Sequence, residues 1–129
     1  MSNQLVFLIL AMSLLTGCSR SEAQESVYRK ISAQDAYKMM SELEDYVLLD
    51  VRTEAEYKEG HIPGALLIPF NEILSLAEKK LPDKNKTIFV YCRSGGRSAN
   101  AVKELASLGY TNIYDIGGII NWPYDTVKP

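Results

Sequence analysis

One stretch of this chain is suited to nucleophilic chemistry: Cys92-Arg93-Ser94-Gly95-Gly96-Arg97. It directly follows an apolar run, Thr87-Ile88-Phe89-Val90-Tyr91, and precedes a segment with helical spacing. Adjacent glycines admit positive φ, so successive N–H groups can curl inward toward one point. Those donors, with the positive end of the following helix, make a nest for an anion. A thiol held there loses its proton more readily, and Arg93 and Arg97 add to the field. The expectation is a thiolate nucleophile at neutral pH, able to carry a persulfide whose charge the same donors hold. The alternative is a buried cysteine acting as a small hydrophobe, which needs neither flanking arginines nor paired glycines.

Two further segments carry chemically capable side chains, Asp50-Val51-Arg52 and the Gly60-His61 loop. His61 has the type of a general base. A thiolate formed by its electrostatic setting needs none, so His61 is expected to be structural. A single Cys92 and a single His61 are too few ligands for a metal site, and no metal or other cofactor is expected.

The elements that must position these residues follow from periodicity. Val27–Ile31 alternates weakly, as an edge strand does. Ser32 caps a helix on which Ala36, Met39, Met40 and Leu43 recur at helical spacing. Tyr46–Asp50 is a short continuous apolar run, expected of a strand buried on both faces. Thr53 with Glu56 forms a capping box, opening a brief helix through Tyr57 that stops at Gly60. Ala65–Ile68 predicts a third strand ended by Pro69. Asn71–Leu81 predicts a helix with Leu74, Leu76, Ala77 and Leu81 inward and Lys79-Lys80 outward or at its C-terminal end. A helix from Arg97 or Ser98 to Leu108 is capped by Gly109. Asn112–Ile116 is the last strand, and Gly117-Gly118 turns the chain toward Trp122. Strands alternating with helices predict an α/β fold, a parallel sheet with helices on both faces in three layers. Ligands of such sheets bind at the carboxyl ends of the strands, where Asp50 and Cys92 lie.

The totals agree with one domain. Of 129 residues, about 100 (residues 27–129) remain for a fold once the N-terminal stretch is set aside, enough for a single core without staples. A net charge of -2 gives no reason to expect nucleic acid as a partner. Leu5–Leu15 is an apolar run of signal-peptide length, too short to cross a bilayer as a helix. Leu15-Thr16-Gly17-Cys18 follows at once and resembles the bacterial lipobox, in which cleavage precedes the cysteine and the thiol is acylated. That resemblance makes residues 1–17 a lipoprotein signal peptide and Cys18 the lipidation site. Residues 18–26 then form a polar tether, and the protein is exported and held at a membrane, facing the periplasm or cell exterior. Met1–Gln4 lacks the usual basic residue. An ordinary cleaved signal, or an N-terminal helix docked on the domain, is the alternative. A Cys18–Cys92 disulfide would close a long loop on a terminal segment while fixing little structure.

At the cysteine loop a family resemblance becomes specific. Leu49-Asp50-Val51-Arg52, Glu56-Tyr57, Gly60-His61-Ile62-Pro63-Gly64-Ala65, Cys92–Ser98 and Gly117-Gly118 with Trp122 occur together in one order. That set is similar to a single-domain rhodanese (thiosulfate sulfurtransferase family) and covers about three-quarters of the chain. The resemblance implies a five-stranded parallel sheet and a ping-pong cycle: a donor such as thiosulfate leaves its outer sulfur on Cys92, and a thiophilic acceptor such as cyanide or a thiol removes it. It implies that the backbone from Arg93 through Ser94, Gly95, Gly96 and Arg97 to Ser98 holds the terminal sulfur. Arg93 and Arg97 would steer the anion, Asp50 and Arg52 would brace the loop, and Trp122 would wall the pocket or, as such residues more often do, simply pack in the core. A monomer is the expectation. Cysteine phosphatases and arsenate reductases are rivals, but their loops place five residues between Cys and Arg, against four here. A non-catalytic interaction module is a second rival, though such modules commonly lose the cysteine.

Overall fold

The computed structural model describes residues 27–129. Cys18 and the N-terminal segments assigned above to a signal and a tether lie outside the described residues. Five strands alternate with helices: β1 (Tyr28–Lys30), α1 (Ala33–Glu42), β2 (Val47–Asp50), α2 (Glu54–Glu59), β3 (Leu66–Leu67), α3 (Ile73–Lys80), β4 (Ile88–Cys92), α4 (Gly96–Ser107) and β5 (Ile113–Gly118). The strands form one sheet in the order β1-β5-β4-β2-β3, with every neighbouring pair parallel.

Local signals set most of these boundaries. Ser32 Oγ accepts the Asp35 N–H and opens α1, while Thr53 and Glu56 complete a reciprocal capping box at α2. β3 is short because Pro63-Gly64 precedes it and Pro69 follows, and Pro cannot donate to a ladder. All five residues of β4 are buried, as befits the central strand of a sheet covered on both faces.

Alternation along the strands sorts the side chains into two cores. On one face Leu49, Ile88, Val90, Cys92 and Ile113 meet α3 and α4. On the other, Leu48, Phe89, Tyr91 and Ile116 meet Ala36 of α1 and the Ile62–Ala65 loop. Cys92 and Tyr91, neighbours in sequence, therefore act on opposite sides of the sheet.

Three expectations are corrected here. A 3-10 turn at Phe70–Glu72 precedes α3 and sets its rotation, so Ile73, Ala77 and Leu81 form the buried row while Leu74 is 57% exposed. Leu43 sits at the C-cap of α1 and is exposed rather than inward. Gly117-Gly118 does not turn the chain away. Both glycines remain in β5 after a bulge at Ile116, because the register passes from Val90–Asp115 to Tyr91–Gly117 and Cys92–Gly118.

Candidate active site

Cys92 is the last residue of β4 and lies beneath the first turn of α4. Its side chain is 1% exposed. Gly95, at φ +111°, reverses the chain so that its own N–H points back to Cys92 Sγ at 3.0 Å. Burial pushes the Cys92 thiol up. The Ser98 hydroxyl and the backbone N–H groups of Ser98, Gly95 and Arg97 outweigh it and hold the thiol below its ordinary value. Of the expected backbone cradle from Arg93 to Ser98, the N–H of Gly95, the N-cap of α4, meets the sulfur within hydrogen-bond distance. The Arg93 carbonyl instead accepts the Ile120 N–H, tying the loop to the chain after β5.

The bulge in β5 explains how loop and strand fit. It sets Gly118 directly beneath the loop, where an added Cβ would lie 2.6 Å from Ser94 Cα and 2.7 Å from the Arg93 carbonyl carbon. No larger residue fits there without displacing backbone.

The two arginines occupy different situations. Arg93 is exposed beside a shallow pocket of about 250 Å³, which Arg52, Glu56, Glu59, Gly60, Ile119 and Ile120 also line. Arg97 donates to both Glu56 oxygens at 2.7 and 3.0 Å, and its guanidinium lies 5.6 Å over the Phe70 ring. Arg97 is thus held by a carboxylate, and among the described residues Arg93 has no carboxylate partner.

Asp50 and Arg52 brace the site from the other face of the sheet. Asp50 takes a forked hydrogen bond from Arg52 Nε and Nη2, and Arg52 Nη2 also reaches the Gly60 carbonyl at 2.7 Å. Tyr91 Oη donates to Asp50 Oδ2 at 2.9 Å and accepts the Ile62 N–H. The network fixes Tyr91, one residue before the nucleophile, and the Gly60–Ile62 loop. His61 stacks on Tyr57 at 3.7 Å, and its Nδ1 meets the Tyr57 carbonyl at 2.9 Å, a structural arrangement. Trp122 packs against Tyr37 and Tyr124 and lines a separate cleft with Met40 and Tyr46, so it does not wall the cysteine loop.

Two partners of the site escaped the sequence reading. Glu56 was read as a helix cap and also clamps Arg97. Asp115, buried on β5, accepts the Ser98 hydroxyl at 2.8 Å. The available signal was an acidic residue inside the strand Ile113-Tyr114-Asp115-Ile116.

Comparison with known families agrees with this geometry. Residues 32–123 match the model of the Rhodanese-like domain. The chain belongs to the rhodanese family. The rhodanese chain is 38% identical over 80 residues to thiosulfate sulfurtransferase PspE of Escherichia coli strain K12, covering 62% of this chain and 77% of the relative. It is 33% identical over 97 residues to thiosulfate sulfurtransferase GlpE of Coxiella burnetii, covering 74% and 88% respectively. Its fold is similar to that of a rhodanese-related protein from Thermoplasma volcanium, with a TM-score of 0.68 and 34% identity, over 79% of this chain and all of that one.

Proposed function

We propose that this rhodanese domain is a sulfurtransferase that carries sulfane sulfur on Cys92. The observation that carries the reading is the Gly95 N–H aimed at Cys92 Sγ from 3.0 Å within the loop that opens α4. In the first half-reaction the thiolate attacks the outer sulfur of a donor such as thiosulfate. An Sγ–S bond forms, the donor's S–S bond breaks, and sulfite leaves with the electron pair. In the second, a thiolate or cyanide attacks that outer sulfur, and the Sγ–S pair returns to Cys92. Backbone donors stabilise the charge at each stage without a proton transfer.

A near-buried sulfur under a short loop suits delivery of one atom rather than a whole tetrahedral oxyanion. Four residues separate Cys92 from Arg97, and Arg97 is engaged by Glu56, which also argues against a phosphatase. Small sulfur anions and thiols are the substrates this reading implies. The test is turnover of the full chain in detergent with thiosulfate and cyanide, beside Cys92→Ser. Loss of activity in the variant, with a gain of roughly one sulfur mass on Cys92 in the wild type, is expected. Equal turnover by both proteins overturns the reading. The lipobox-like Leu15–Cys18 motif supports a further part of the proposal, that the domain works outside the cytoplasm on a lipid anchor at Cys18.

A further inference from the structure

Ser98 is fully buried, and its hydroxyl stands beside two acceptors, Asp115 Oδ1 at 2.8 Å and the Gly95 carbonyl at 3.1 Å. Cys92 Sγ lies at 3.6 Å, donating to Ser98 Oγ as a thiol and turning acceptor once it is a thiolate. A hydroxyl carries one hydrogen, so with the thiolate formed these three groups compete for it. Asp115 is 5% exposed, takes the Gly117 N–H on the same oxygen, and among the described residues pairs with no lysine or arginine. Its carboxylate is therefore a strong acceptor placed where little else satisfies it.

We propose that Asp115 is a positioning residue that competes with Cys92 for the Ser98 proton and so sets the balance between loading and unloading of sulfur. The inference rests on the sulfur-carrier reading of Cys92 for those two half-reactions, though not for the thiol's own titration. When Cys92 is a thiolate, the charge sits on Sγ and draws the Ser98 hydroxyl toward it. In the persulfide the charge sits on the outer sulfur and Sγ is a neutral bridging atom. The hydroxyl then returns to Asp115. No proton leaves Ser98 in either state; only the direction of its O–H changes. Asp115 thus favours the persulfide over the bare thiolate, and keeps that thiolate basic enough to attack a donor.

Other charged groups near the sulfur remain in place when Asp115 is altered. They are Arg93 in the loop and Arg97 on α4 with Glu56 from α2, while Asp50 and Arg52, with the neutral Tyr91, are paired among themselves across the sheet. Lys30 of β1, the register partner of Asp115, is exposed.

Asp115→Asn keeps the shape and the Oδ1 acceptor for Gly117 while removing the charge. The test is the pH profile of iodoacetamide alkylation of Cys92 in four proteins: wild type, Asp115→Asn, Ser98→Ala and the double variant. Asp115→Asn is expected to move the profile to lower pH and raise alkylation several-fold below the wild-type midpoint, with a much smaller change in the Ser98→Ala background. An unmoved profile, or equal changes in both backgrounds, overturns the proposal. Should Ser98→Ala fail to fold, Asp115→Asn alone decides it by single-turnover kinetics: loading from thiosulfate slows while unloading to a thiol quickens. Rates that shift in the same direction reject the competition. If the protein transfers no sulfur, the half-reactions vanish and the alkylation cycle still stands or falls by itself.

Discussion

The guanidinium of Arg97 and the carboxylate of Glu56 join the first turn of α4 to the first turn of α2, through hydrogen bonds of 2.7 and 3.0 Å. Glu56 Oε1 also accepts the Thr53 N–H at 3.1 Å, so one side chain closes a capping box and clamps the sulfur loop's arginine. The hydrogen bonds from Arg97 lead the effects that hold the Glu56 carboxyl down at about 2, against the opposing effect of burial, with Thr53 adding to them.

Glu56→Gln retains an oxygen for Thr53 and removes the ion pair. A stability loss of about 1 kcal/mol at neutral pH is expected, the upper range for pairs near the surface. The folded-state pKa is depressed, so the contribution is complete above the unfolded value near 4.5 and is lost as pH falls toward 2. Thermal melts of both proteins across that window should converge at the acid end. Arg97, released, becomes a second free cation at the site, and KM for thiosulfate should fall.

Stability and chemistry separate at Asp50. Its carboxylate is buried with Arg52 and Tyr91 on the face of the sheet opposite the Cys92 sulfur. Asp50→Ala leaves a buried guanidinium uncompensated and should cost about 3–5 kcal/mol in urea denaturation. Tyr91→Phe strands the Ile62 N–H and should cost about 1–3 kcal/mol. In Tyr91→Phe the alkylation profile of Cys92 should match the wild type. A large shift in that profile would place Tyr91 in the thiol's own environment and contradict the division between the two faces.

The order of strands and helices was legible because each signal is local. Ser32 and Thr53 announce helix starts, and Ile88–Tyr91 can only be a buried strand. The nucleophile was legible for the same reason, since loop, glycines and helix start are consecutive. What escaped depends on the rotation of elements or on contacts between distant segments. Leu74 and Ile73 differ by one residue, and only the preceding 3-10 turn decides which faces the core. Glu56 and Arg97 are 41 positions apart, and Ser98 and Asp115 are 17 apart. Pairing across such distances is set by strand order, which no periodicity reveals. Trp122 packs against the second core rather than beside Cys92, the core alternative of its two expected places, because a family motif gives order along the chain and no direction in space.

The proposed lipid anchor predicts a partition. If Cys18 is acylated, the wild-type protein extracts into detergent and Cys18→Ala leaves it soluble or unprocessed. Each buried methylene contributes about 0.8 kcal/mol, so two chains hold where one would not. Recovery of wild-type protein in the cytosol with Met1 intact would sink the anchor and leave the sulfurtransferase reading untouched.

The three glycines around the sulfur make unequal demands, and substitution by alanine should rank them. Gly96 opens α4, carries no positive φ, and an added Cβ there meets nothing within 4 Å. Gly96→Ala should be neutral or gain up to about 1 kcal/mol, because alanine restricts the unfolded chain more than glycine does. Gly95 sits at φ +111°, where a side chain brings strain of about 1–3 kcal/mol. That strain relaxes by turning the very peptide whose N–H meets Cys92 Sγ. Gly118 faces the loop backbone at Arg93 and Ser94, and backbone cannot rotate aside as a flexible side chain can. Gly118→Ala should cost at least as much, within the usual overpacking range of about 1–3 kcal/mol, and push the loop off β5. Both damaging variants withdraw a donor from the sulfur, so alkylation of Cys92 should shift to higher pH as well as melting falling. A Gly118→Ala protein that melts lower yet keeps the wild-type alkylation profile would show that the bulge supports the fold alone and does not set the loop around the thiol.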